Sequence, residues 1–180
     1  MIEGKVIAVS GTHGTGKTTR VLEIARAMKI EFPGKTVATL TEQASICPLP
    51  VNKQTIPASQ MWLFTSHMAR EIELAARFDI VVSDRSAVDA IAYTRAMGAE
   101  HPGSDEMAQD MISLVRHHLP IYSMIYFNFC SLNEFWFQDG LRESSDRVFR
   151  DEIEGMLLDI YRELGISFTV TGDMVRDFRG

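Results

Sequence analysis

The fold is decided by one stretch of sequence, Gly11-Thr12-His13-Gly14-Thr15-Gly16-Lys17-Thr18, which matches the pattern G-x-x-x-x-G-K-[ST] at every fixed position. A mostly apolar run at 5–9 precedes it, and a helical pattern at 17–30 follows it, which is the context that this motif requires. Its glycines let the backbone wrap around phosphate oxygens, and the following helix adds its positive end. The stretch therefore predicts a phosphate cradle at a strand-to-helix turn.

The residues of this P-loop, or Walker A motif, have predicted roles in binding ATP and Mg²⁺. Lys17 supplies a positive charge to the β- and γ-phosphates, and the hydroxyl of Thr18 is a predicted Mg²⁺ ligand. The motif does not decide between ATP and GTP as the phosphate donor. The predicted nucleotide-binding residues here are Gly11, Thr12, His13, Gly14, Thr15, Gly16, Lys17, Thr18 and Thr19.

Strands and helices alternate outward from the P-loop along the sequence. Apolar runs predict five strands, at 5–9, 36–40, 79–83, 121–127 and 167–170. Apolar residues at helical spacing predict five helices, at 17–30, 58–77, 87–97, 105–118 and 149–164. This alternation predicts a single domain over 1–180 of the α/β class, a doubly wound five-stranded parallel sheet with helices on both faces, as in the P-loop NTPase fold.

Composition excludes several classes of partner. The formal net charge of −6 disfavours a dedicated nucleic-acid binder, because a polyanion would be repelled over most of the surface. No run approaches the roughly eighteen apolar residues of a membrane span, and the first residues lack a long apolar stretch. Cys47 and Cys130 have no partner at metal-ligand spacing, which favours reduced thiols and a cytoplasmic protein. The sequence does not decide between a monomer and a homodimer.

Asp84 follows the third predicted strand, and Arg85 comes directly after it. Ligands of open α/β sheets bind at the carboxyl ends of the strands, so both side chains are expected in the same crevice as the P-loop. A carboxylate in that place suits Mg²⁺, either directly or through water, and an arginine suits phosphate. The alternative for Asp84 is an N-terminal cap of the next helix, a role that Ser86 is equally able to fill.

The triplet Asp84-Arg85-Ser86 resembles the D/E-R-[SYFH] signature of P-loop nucleoside and nucleotide kinases, which include thymidylate kinases and deoxynucleoside kinases. That resemblance implies that the acid serves metal or proton chemistry and that the arginine contacts the acceptor. The segments Asp139-Gly140-Leu141-Arg142 and Phe149-Arg150 resemble the lid of small AAA-labelled kinase-like proteins, relatives of the ribosylnicotinamide kinase domain. The resemblance also implies that the backbone at Gly172 passes along adenine.

A lid is therefore expected at about 137–150, where three arginines crowd together. Arginine stabilises the charge that spreads over a transferring phosphoryl group, and a closing lid brings it in while expelling water. We predict this role for Arg142 and Arg150, and a solvated surface position for Arg147. Charge runs at the start of a solvated helix are the alternative reading.

The acceptor pocket is predicted from two groups of residues. Glu42 follows the second strand, where related kinases keep an acid near the acceptor, and it is either a general base for a ribose hydroxyl or a surface acid. Gln60, Phe64 and His67 share one helical stripe with Glu71. An amide, an aromatic face and an imidazole are suited to a heteroaromatic acceptor, although a buried helix face with a satisfied histidine has the same pattern.

These observations favour a kinase that transfers phosphate to a nucleoside, a nucleotide or a similar small molecule. The competing interpretation is a nucleotide-dependent switch, or an ATPase that loads a partner. A GTP switch needs a guanine-reading N-K-x-D segment after a strand, and the string Asn52-Lys53-Gln54-Thr55 lacks the aspartate. A ring-forming ATPase keeps a glutamate after its metal-binding aspartate, and this chain has Arg85 there. The substitution favours transfer to an acceptor over hydrolysis.

Overall fold

The computed structural model describes residues 4–51, 54–130 and 147–170. Within these residues the strands are β1 (Lys5–Ser10), β2 (Val37–Leu40), β3 (Ile80–Asp84), β4 (Tyr122–Phe127) and β5 (Thr169–Val170). The helices are α1 (Lys17–Glu31), α2 (Pro57–Ala75), α3 (Ala87–Ala96), α4 (Ser104–His118) and α5 (Arg147–Leu164). Each lies within a few residues of its predicted bounds. The predicted lid falls mostly outside the described residues, as do Arg142 and Gly172.

The described strands form one parallel sheet in the order β2-β3-β1-β4-β5. The predicted fold class, a doubly wound α/β sheet, is therefore confirmed. Strand β1 lies in the centre of the sheet. Its residues from Val6 to Ser10 are all buried, as expected for a strand covered on both faces. Its neighbour β3 is in register with it, and Val9 is paired with Asp84. This pairing brings the P-loop and the end of β3 to the same edge of the sheet.

Alternation along the central strands gives each face of the sheet its own apolar core. On one face, Ile7 and Val9 pack with Val21 and Ile24 of α1. On the other face, Ala8 and Phe127 pack with residues of α2, α3, α4 and α5. Helices therefore cover both faces, as predicted. No helix in the described ranges combines the length and the apolar character that a membrane crossing needs.

Strand β5 begins two residues later than predicted. It pairs with β4 through two residues, Tyr126↔Thr169 and Phe127↔Val170, whereas the apolar pattern predicted a strand from residue 167. Phe168, just before this strand, packs instead against the rings of Phe127 and Tyr161. Phe168 of this apolar run therefore packs against aromatic rings, and pairing with β4 begins at Thr169.

Candidate active site

The P-loop requires glycine at its first position. Gly11 has φ of 136°, in a region that L-residues avoid. A Cβ on Gly11 would lie 2.5 Å from the carbonyl oxygen of Asn128, at the end of β4. The Asn128 N–H donates to the carbonyl of Ser10 at 2.9 Å, so the end of β4 backs the loop directly. The glycine of the motif therefore permits close packing of two strand ends as well as the turn itself.

Lys17 is buried against the loop that it follows. Its Nζ donates to the carbonyl of Thr12 at 2.5 Å and lies 3.5 Å from the hydroxyl oxygen of Thr15. Lys17 is only 5% exposed. The positive charge is thus held inside the loop, where the motif predicts the phosphates of a nucleotide.

Thr18 and Asp84 meet at the carboxyl edge of the sheet. The Thr18 hydroxyl, on the first turn of α1, donates to Oδ2 of Asp84 at 2.5 Å. A hydroxyl and a carboxylate oxygen are hard ligands of the kind that Mg²⁺ prefers, so the residues present fit this ion. The cap of α3 is formed instead by Ser86, whose N–H donates to Asp89 at 2.9 Å. The carboxylate of Asp84 is therefore turned towards the P-loop, although its metal role stays a prediction.

Arg85 adopts an uncommon backbone conformation, and its guanidinium lies between Glu42 and the start of the P-loop, with NH1 donating to the Gly11 carbonyl at 3.4 Å. Its φ is 88°, which costs a non-glycine residue on the order of 1 kcal/mol. Its Nε donates to Oε1 of Glu42 at 2.6 Å, and both side chains are only 14% exposed. Its guanidinium also lies over the ring of Tyr93, 5.3 Å from the centroid. Glu42 and Arg85, which are 43 positions apart in the sequence, are thus joined by an ion pair beside the P-loop.

Asp89 is a residue of this site that the sequence analysis missed. Its carboxylate accepts hydrogen bonds from the Ser10 hydroxyl at 2.8 Å and from the Gly11 N–H at 3.3 Å. It also lies 3.3 Å from NH1 of Arg85. One buried charge therefore ties the start of the P-loop to Arg85. Its spacing from Ser86 fits a helix cap, but no sequence signal linked it to the P-loop.

The side chain of His13 links the P-loop to α3 and α5. Its backbone N–H donates to the Tyr93 hydroxyl at 3.1 Å, and its Nδ1 lies 3.0 Å from the same oxygen. Its ring also lies 5.9 Å from the ring of Phe149 in the first turn of α5. Thr19, which follows the motif and is also predicted to bind the nucleotide, is exposed on α1.

The predicted acceptor stripe on α2 is a buried face. Phe64 is 1% exposed and belongs to the core, and the Nε2 of His67 lies 3.2 Å from both the Ser83 hydroxyl and the Arg85 carbonyl. Gln60 differs, because its Oε1 is buried without a hydrogen-bond partner among the described residues. The helical spacing of the stripe is as predicted, and contact with an acceptor stays a prediction for all three.

The two described arginines of the predicted lid differ in burial. Arg150 is 4% exposed on the first turn of α5, whereas Arg147 is exposed and lies 3.8 Å from Asp151. The neighbour of Arg150 in the sequence, Phe149, lies against the ring of His13 in the P-loop. The start of α5 therefore belongs to the surroundings of the P-loop.

Comparison with known proteins bears on this arrangement. A family model described as an AAA domain matches residues 6–176. The crystal structure of NadR protein in complex with NR has a TM-score of 0.67 and 20% identity, over 94% of this chain and 45% of that one. This chain thus spans less than half the length of NadR. No curated protein sequence matches it.

Two kinases of similar size share the fold. Thymidylate kinase from Ehrlichia chaffeensis has a TM-score of 0.61 and 15% identity, over 93% of this chain and 86% of that one. Deoxyadenosine kinase from M. mycoides with bound dATP has a TM-score of 0.62 and 14% identity, over 93% of this chain and 90% of that one. At these identities the likeness establishes the fold.

Proposed function

Because this chain belongs to the AAA-domain family whose model matches residues 6–176, and shares its fold with nucleotide-binding kinases, we propose that it is a P-loop kinase. It transfers the terminal phosphate of ATP to a nucleoside, a nucleotide or a nucleoside-like small molecule. The observation that carries this proposal is the set of contacts made by two consecutive residues beside the P-loop. Asp84 accepts a hydrogen bond from Thr18, and Arg85 links Glu42 to the carbonyl of Gly11.

The donor side of the proposed reaction consists of the P-loop and the Mg²⁺ ligands. The P-loop amides and Lys17 would bind the phosphates, while Thr18 and Asp84 would hold the metal. Mg²⁺, when bound, supplies positive charge that offsets the charge of the transferring phosphoryl group. The proposed role of the protein groups is to position the phosphates and to stabilise the charge that develops.

The acceptor side consists of Glu42, Arg85 and the α2 stripe. Glu42 is the proposed general base for an acceptor hydroxyl, and Arg85 would orient it and neutralise acceptor charge. The buried Oε1 of Gln60 has no hydrogen-bond partner among the described residues, which favours an acceptor that presents an N–H or O–H donor. Phe64 and His67 would then contribute surface beside that amide.

A coupled ADP-release assay tests the proposal. We expect turnover that depends on one compound in a panel of nucleosides, mononucleotides and nicotinamide riboside, with little turnover when no acceptor is present. ATP hydrolysis that is equally fast with and without every acceptor would contradict the proposal and favour a nucleotide-dependent switch.

The lid arginines should act late in the reaction. Arg142→Ala and Arg150→Ala are each expected to cost about 2–4 kcal/mol in kcat, as for loss of one preorganised donor to a transition state. ATP affinity, measured by calorimetry, should stay nearly intact, because lid closure follows ATP binding.

Arg147→Ala is the matched control for this experiment, since Arg147 is exposed on the same helix as Arg150. Thermal unfolding of Arg150→Ala separates a folding defect from a catalytic one, because Arg150 is buried. If both variants keep the parental kcat, the arginines have no part in phosphoryl transfer.

A further inference from the structure

A cluster of ionisable side chains lies beside the turn that carries Arg85. Its centre is Glu71 of α2, which is 0% exposed, and its other members are His67, His118 and Tyr122. A buried carboxylate costs several kcal/mol unless donors surround it. None of the roles predicted from sequence uses Glu71, so the reason for its burial has to be found in its contacts.

Two hydrogen-bonding groups and one ion-pair partner surround the Glu71 carboxylate. The Oε2 atom lies 2.6 Å from Nε2 of His118 and accepts a hydrogen bond from the Tyr122 hydroxyl at 2.8 Å. The Oε1 atom lies 3.2 Å from Nε2 of His67, an ion-pair contact that lacks hydrogen-bond geometry. Burial alone would raise the pKa of Glu71, but the charge of His67 and the hydrogen bond from His118 lower this pKa to about 2. The hub of the cluster is therefore a carboxylate that keeps its charge.

Two of these residues, His67 and Tyr122, also contact the backbone on either side of Ser86. Nε2 of His67 lies 3.2 Å from the carbonyl oxygen of Arg85. A carbonyl only accepts hydrogen bonds, so a hydrogen bond at this contact has the proton on Nε2 of His67. On the other side, the Tyr122 hydroxyl accepts a hydrogen bond from the Ala87 N–H at 2.9 Å. Glu71 contacts both groups, through the ion pair with His67 and the hydrogen bond from Tyr122, so one carboxylate lies behind both backbone contacts.

The turn needs this support because Arg85 is held in the left-handed region, with φ of 88°. Its N–H donates to the Val9 carbonyl at 3.0 Å, which fixes one side of the residue to β1. The contact from His67 fixes the other side. Rotation of the Arg85 carbonyl away from His67 would relieve the backbone strain and carry the guanidinium away from Glu42.

We propose that Glu71 is a positioning residue for Arg85: acting through His67 and Tyr122, it holds the turn 85–87 and keeps the guanidinium at the acceptor side of the site. The consequence for kcat rests on the proposed kinase function. The hold on the turn itself does not, and the two are measured separately.

The kinetic test replaces Glu71 by an amide of the same shape. Glu71→Gln should lower kcat about tenfold to a hundredfold and leave KM for ATP within about twofold, because the P-loop is not touched. His67→Gln keeps an N–H near the Arg85 carbonyl and should lose much less activity than His67→Leu. Thr94→Val, which removes a buried hydroxyl of α3 away from the turn, is the control for general core damage.

A double-mutant cycle with Arg85→Ala separates positioning from packing. If Glu71 acts through Arg85, then Glu71→Gln should lower kcat little or not at all once Arg85 is already alanine. A purely structural role predicts the same loss in both backgrounds. Additive losses would overturn the proposal.

Amide hydrogen exchange tests the hold on the turn without any turnover. In Glu71→Gln and in Tyr122→Phe, the Ala87 amide should exchange at least about tenfold faster than in the parent, while amides of β3 keep their protection. Unchanged protection of Ala87 in both variants overturns the proposal. If the parent phosphorylates no acceptor, the proposed function fails, and this measurement still decides whether Glu71 holds the turn.

Discussion

Lys17→Ala is expected to lower kcat about a thousandfold at saturating ATP, the upper range for loss of one preorganised charge at a developing negative centre. The Nζ of Lys17 is held within the P-loop by the Thr12 carbonyl and lies near the Thr15 hydroxyl. It therefore needs little reorganisation to meet the phosphates. Lys17 is the only lysine or arginine of the motif.

The fold should survive this substitution. Loss of the hydrogen bond to the Thr12 carbonyl costs about 1 kcal/mol of unfolding free energy. Lys29→Ala is the matched control, because Lys29 lies in the last turn of the same helix and donates to the carbonyls of Pro33 and Lys35 on the surface. Parental turnover in Lys17→Ala, with thermal unfolding also unchanged, would remove Lys17 from the mechanism.

Asp84→Asn is expected to lower kcat about a hundredfold and to recover part of it as Mg²⁺ is raised. An amide of the same shape can still accept the hydrogen bond of the Thr18 hydroxyl, so the local geometry is kept. What is lost is the negative charge that would hold the cation beside the phosphates. Weaker metal binding, unlike a misshapen site, is corrected by mass action.

The control for this variant is Asp79→Asn, which changes an exposed carboxylate just before the same strand. Asp79 binds the Lys35 ammonium and the Thr36 backbone, far from the P-loop end of β3. It should leave kcat and its Mg²⁺ dependence at parental values. If Asp84→Asn also matches the parent throughout a Mg²⁺ titration, Asp84 does not hold the metal.

The sequence predicted the fold, which is confirmed, and the donor side of the site, which stays a prediction, because both depend on local patterns. The P-loop is one continuous stretch, so its glycines, Lys17 and Thr18 are fixed relative to one another by the turn and the first turn of α1. Asp84 could be located because a residue that ends a buried parallel strand lies at the ligand-binding edge. The contact between Thr18 and Asp84 agrees with that expectation.

The acceptor side depended on contacts between distant elements, which spacing along a chain does not specify. Strand order made β2 the neighbour of β3, and this order brings Glu42 to Arg85. The left-handed conformation of Arg85 decided the direction of its guanidinium, and a sequence motif gives no φ angle. The sequence by itself thus determined a P-loop on a parallel sheet. Only the tertiary structure decided that Asp89 of α3 contacts the start of the P-loop and Arg85. It also decided that Glu71 of α2 contacts His67 and Tyr122 beside the turn after Arg85, because such contacts arise from packing between elements.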